Sequence, residues 1–82
     1  MKLPRDTGGE ELAQLLARYG YRETRQAGSH LRLTAQIKGV EHHVTIPAHK
    51  PLKIGTLIGI LNDVAESLGI SRDELVEELF GH

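Results

Sequence analysis

The chain has 82 residues and a net charge of −1, with 39% apolar and 26% charged residues, a balance that excludes a disordered or fibrous protein. So short a chain makes one domain around a single compact core, and the absence of cysteine excludes disulfide frameworks and thiolate metal sites and suits a reducing compartment. One Phe, two Tyr and no Trp weigh against the aromatic platforms on which many single-strand RNA binders stack bases.

Thr7 with Glu10 reads as a capping box, and Leu12, Leu15, Leu16 and Tyr19 follow at the spacing of one helical face, so a first helix is predicted over 8–19. Gly20 closes it. YRETRQ, from Tyr21, suits an exposed strand with little apolar alternation. After Gly28, the stretch HLRLTAQI points Leu31, Leu33, Ala35 and Ile37 one way and His30, Arg32, Thr34 and Gln36 the other. Lys38-Gly39 supplies a turn, and HHVTIP resumes the alternation with Val44 and Ile46 inward and His43 and Thr45 outward until Pro47 stops it. The second and third strands should therefore form an antiparallel hairpin.

AHKPLKIG is a loop held by Pro47 and Pro51. Leu57, Ile60, Leu61, Val64 and Leu68 then mark a second amphipathic helix ending at Gly69, and Ser71 with Glu74 opens a third through Leu75, Val76, Leu79 and Phe80. The predicted class is α+β: helix, three-stranded antiparallel sheet, helix and short C-terminal helix, with the helices on one face of the sheet and the other face wet. Residues 1–82 are expected to form one domain, with 69–82 a helical extension. The N-terminus has no apolar leader, and no run approaches the roughly 20 apolar residues of a membrane span, so the expectation is a cytoplasmic protein.

Charge is distributed unevenly. Residues 18–53 hold seven bases against two acids, whereas residues 54–82 hold one base against six acids. A basic middle and an acidic tail point to an anionic ligand on the central segment.

The stretch RQAGSH, 25–30, places an imidazole where two strands meet. Histidine takes and gives protons near neutral pH, and RNA cleavage without a metal needs a base for the 2′-hydroxyl, an acid for the leaving oxygen and cations for the phosphorane. His30 is the candidate acid/base, with Arg25, Arg32, Lys50 and Lys53 as cations. By residue type alone, the plainer reading of a strand-start histidine bonded to backbone stands ahead of it. His42 and His43 point to opposite faces of a strand and cannot jointly chelate an ion, so no metal or other cofactor is expected. Lys53, Gly55 and Thr56 at the start of the second helix suit a phosphate but lack the spacing of a nucleotide-hydrolysing loop.

RQAGSHLRL, EHHVTIPAH and PLKIGTLIGIL, in this order after a short first helix, resemble the HicA family of toxin mRNA interferases over about residues 3–70. The resemblance implies a double-stranded-RNA-binding-domain-like fold, with His30 as the catalytic histidine and Gly28 and Ser29 as the turn presenting it. It further implies an endoribonuclease toxin that cleaves single-stranded mRNA without a metal and arrests growth. A HicB-type antitoxin would silence it and contact operator DNA as the complex. His43 and Thr45 are candidates to assist His30. The chain departs from many members in being near neutral and in adding the acidic third helix, so RNA binding should be weak and strongly salt-dependent. The alternative is a non-catalytic RNA-binding module on the same fold. A third reading, an adaptor docking a protein through RDELVEELF, predicts no RNA binding at low salt.

Overall fold

A computed structural model describes residues 3–81. The elements run in the expected order: α1 (Gly9–Leu16), a single 3-10 turn (Ala17–Tyr19), β1 (Arg22–Ala27), β2 (His30–Ile37), β3 (Val40–Pro47), α2 (Ile54–Leu68) and α3 (Arg72–Phe80). The sheet is antiparallel in the order β1-β2-β3, joined by two tight turns. At the second turn Lys38 and Gly39 both take positive φ, 55° and 80°, the backbone that matches strand twist in a two-residue hairpin.

Period-two alternation decides which face is buried. Leu31, Leu33, Ala35 and Ile37 of β2 and Val44 and Ile46 of β3 are buried, whereas Arg32, Gln36, His43 and Thr45 are exposed. Leu12 and Leu16 of α1 and Leu57, Leu61 and Val64 of α2 cover the apolar face and are fully buried. Leu75, Val76 and Leu79 of α3 join the same core. The acidic helix is thus docked, and its Glu78 receives hydrogen bonds from Arg18 and Tyr19. The opposite face of the sheet stays open to solvent. No helix among the described residues is long and apolar enough to cross a membrane.

Two boundaries differ from the sequence reading. The first helix is capped one residue later than Thr7-Glu10 implies: Gly8 N–H donates to Glu11 Oε1 at 3.1 Å, and Leu12 N–H to Gly8 O at 3.0 Å. Thr7 is buried and occupied otherwise, its carbonyl accepting from Leu52 N–H at 2.8 Å, which ties the chain start to the loop before α2. Helix α1 also tightens into a 3-10 turn after Leu16, and Gly20 at φ +92° ends it. The second capping box forms as read, with Glu74 N–H donating to Ser71 Oγ at 3.0 Å and Ser71 N–H to Glu74 Oε1 at 3.3 Å.

The close approach of α1 to the end of β3 depends on a glycine. A Cβ on Gly9 would lie 1.9 Å from the Pro47 carbonyl oxygen, and Gly9 N–H donates to His49 O at 2.9 Å. Only a residue without a side chain permits this contact, which holds β3 and the following loop against α1.

Candidate functional site

Cross-strand partners in an antiparallel sheet share a face, so the register sorts the open face into rows. The first row is Ala27, His30 and Pro47; the second is Arg25, Arg32 and Thr45; the third is Arg22, Thr34 and His43. A bulge at Thr24 shifts the β1 frame between Glu23 and Arg25. This brings Arg25 opposite Arg32, a placement that period-two counting along YRETRQ does not reveal.

His30 opens β2 directly after the turn, where Gly28 adopts φ +60°, and its side chain is exposed. Ser29 O accepts from Ala48 N–H at 2.6 Å, which staples the turn to the exit of β3. His30 is therefore presented from two tied strand ends. One row away, about 7 Å along the strand at a rise of about 3.3 Å per residue, the Arg25 and Arg32 guanidiniums occupy facing positions. Neither has an ion-pair partner among the described residues. Like charges directly opposite one another destabilise a sheet, so this pair lowers folding stability unless an anion lies between them.

The other expected site residues divide. Thr45 stands beside Arg32, in the row next to His30. Lys53 is exposed at the start of α2 and borders a shallow cavity with Pro47, His49 and Thr56, at the His30 end of β3. Lys50 is already engaged: its Nζ lies 3.3 Å from Glu11 Oε1, and Glu11 is held below the usual carboxylate range by the Gly8 N–H and then by Lys50. His43 is not brought to His30. It pairs with Thr34, four residues along β2 and about 13 Å from His30 at the usual rise.

His42 and His43 do point to opposite faces. His42 turns toward the helices, where Tyr21 Oη lies 2.7 Å from Nδ1 and Asp63 Oδ1 3.4 Å from Nε2. Tyr21 is almost wholly buried, its ring meeting His42 edge to face, and burial pushes its phenol above the ordinary value. This is a structural link between β3 and α2. On the open face, Thr34 Oγ1 lies 2.9 Å from both Thr24 Oγ1 and His43 Nδ1. In the sequence Thr24 is legible only as part of an exposed strand, because the bulge that turns it outward leaves no composition signal.

The sheet and its helical backing define a small α+β domain whose open face carries an exposed imidazole one row from two arginines that have no ion-pair partner among the described residues. The family model of the HicA toxin of bacterial toxin-antitoxin systems matches residues 9–65, and the chain belongs to that family. The matched segment contains all three rows of the open face and stops before α3. No curated protein and no solved structure matches the chain. Family membership makes this the toxin of a toxin-antitoxin pair, with an antitoxin as its counterpart.

Proposed function

We propose that this chain is a metal-independent endoribonuclease, an mRNA interferase, in which His30 is the general acid/base acting on single-stranded RNA. The observation carrying this reading is the exposed His30 one row from the facing Arg25 and Arg32, which have no ion-pair partner among the described residues. A scissile phosphate over the first row places the 2′-hydroxyl of the ribose on its 5′ side at His30. His30 takes that proton as O2′ attacks phosphorus, the P–O5′ bond breaks, and the leaving O5′ takes a proton from water. The products are a 2′,3′-cyclic phosphate and a 5′-hydroxyl. Arg25 and Arg32 neutralise the charge that builds on the phosphorane, a role in which preorganised cations contribute most. Lys53 extends the positive surface for the RNA backbone, and the Gly28-Ser29 turn sets the direction of His30.

Residues 1–82 act as one cytoplasmic domain, the α3 extension contributing Leu75, Val76 and Leu79 to the common core. A HicB-type antitoxin silences it by covering the open face, and any operator DNA is contacted by that complex rather than by the toxin alone. The acidic side chains of α3 belong to the helical layer, which spares the RNA face their repulsion.

The test is a time course of the protein and of His30→Ala on labelled single-stranded RNA at low salt with EDTA. Cleavage by the wild type alone, with cyclic-phosphate ends, supports the reading. Equal RNA binding by both proteins with cleavage by neither leaves an RNA-binding module instead. Cleavage that EDTA stops removes the metal-independent route.

A further inference from the structure

We propose, resting on the ribonuclease reading, that His43 with Thr34, Thr24 and Glu41 forms a nucleobase subsite two rows from His30. It would take an unstacked base of single-stranded RNA on the imidazole face.

The rows supply the spacing. Each step of two residues along β2 advances about 7 Å, comparable with the phosphate separation of an extended single strand. An RNA strand laid along β2 with its scissile phosphate at His30 passes the guanidiniums of Arg25 and Arg32 and then reaches His43. Stacking requires a planar ring, and the three aromatic residues of the chain are committed elsewhere. Tyr21 is buried, Tyr19 donates to Glu78 of α3, and Phe80 lies on α3 against the core. Among the described residues, His30 and His43 carry the rings of the open face, and only His43 is held in a side-chain network that draws on all three strands.

Those partners hold it at both ring nitrogens. Glu41 Oε1 lies 3.5 Å from Nε2, and the Thr34 hydroxyl lies 2.9 Å from Nδ1. Thr34 Oγ1 in turn lies 2.9 Å from Oγ1 of Thr24, the bulge residue of β1, whose hydroxyl also donates to Arg32 O at 3.4 Å. The result is a continuous chain of contacts, Thr24 to Thr34 to His43, that fixes the ring plane against the sheet. Hydrogen bonds between such solvent-exposed groups add little to folding. Their effect is orientation: the ring presents a fixed face to a base, and the Glu41 carboxylate beside it can accept from an exocyclic amine. Sequence-specific reading of single-stranded RNA uses this combination of a stacking ring and a polar edge.

The inference predicts a division between binding and chemistry. His43→Ala should raise KM by about 5- to 100-fold, the range of one lost base stack, with kcat unchanged. The mapped cleavage sites should lose their base preference two nucleotides from the cut. His43→Phe should recover KM without the preference, and Thr34→Val should blur the preference while keeping most affinity. A collapse of kcat at unchanged KM in His43→Ala would put His43 in the chemistry, and no change in KM or in the cleavage-site profile would make the network plain surface; either overturns the subsite. Should the wild type cleave no RNA, the ribonuclease reading fails separately. Equilibrium titration of the same oligonucleotides then decides: binding weakened about 5- to 100-fold by His43→Ala upholds the subsite, and equal binding overturns it.

Discussion

Replacing Gly9 by alanine should unsettle the fold from the edge of the candidate site. The new Cβ would fall 1.9 Å from the Pro47 carbonyl oxygen and 2.9 Å from its carbon, so α1 and the end of β3 must separate by more than about 1 Å. Both obstacles are backbone, with no flexible side chain to swing away. Overpacking of this kind costs about 3 kcal/mol at its upper end. Stretching the bond from Gly9 N–H to His49 O adds about 1 kcal/mol, and the better helix propensity of alanine returns up to about 1. The net loss, about 3 kcal/mol, should lower the thermal midpoint by about 12 to 24 °C. Circular dichroism melts of Gly9→Ala beside Gly59→Ala make the assay. Gly59 lies inside α2 with nothing within 4 Å of where an alanine methyl would sit, so alanine there should raise the midpoint by about 2 to 8 °C. A Gly9→Ala midpoint within about 5 °C of wild type would refute the close approach of α1 to Pro47. Because Pro47 is the cross-strand partner of His30, the same variant should lose RNA cleavage even where it remains folded.

Other outcomes follow from the same geometry. Arg32→Gln should weaken RNA binding, flatten its salt dependence by about one phosphate contact, and leave the midpoint unchanged or raised by up to about 5 °C, because it removes a like-charge pair; a midpoint that drops would show Arg32 to be structural. Leu61→Ala, at a fully buried position of α2, should cost about 2 to 5 kcal/mol, read as a reduced denaturant midpoint at unchanged slope. Tyr19 is pushed up to about 12, first by burial and then by its bond to Glu78, and Tyr21 is raised by burial. Both folded phenols hold protons that the unfolded chain releases near 10. Their contribution is complete below pH 10 and is lost as pH rises toward about 12, so phenolate absorbance should appear late and together with unfolding. Absorbance growing in near pH 10 while the fold persists would contradict that environment.

Much of this protein is legible in local chemistry. Alternation from His30 to Ile37 and from Val44 to Ile46 marks two half-buried strands because neighbouring side chains on a strand face opposite ways. The Lys38-Gly39 turn, Gly20 after the first helix and the Ser71-Glu74 box are short-range devices that act the same way in any fold. They suffice for element order, for the α+β class and for the wet face that carries His30, Arg32, His43 and Thr45. The charge division between residues 18–53 and 54–82 is likewise plain in the residues themselves.

Tertiary structure decided the rest, for reasons of register and competition. Thr7 resembles a helix cap in sequence but is claimed by Leu52, a residue 45 positions away, and the cap passes to Gly8 and Glu11. The bulge at Thr24 turns Arg25 to face Arg32 and links Thr24 to Thr34, neither of which spacing along one strand can report. Pairing of β2 with β3 sets His43 opposite Thr34, two rows from His30, so two histidines on the same face serve different positions. A chain dictates which side chains share a face because the period of a strand is local; how far apart they lie across strands depends on long-range pairing that only the folded sheet supplies.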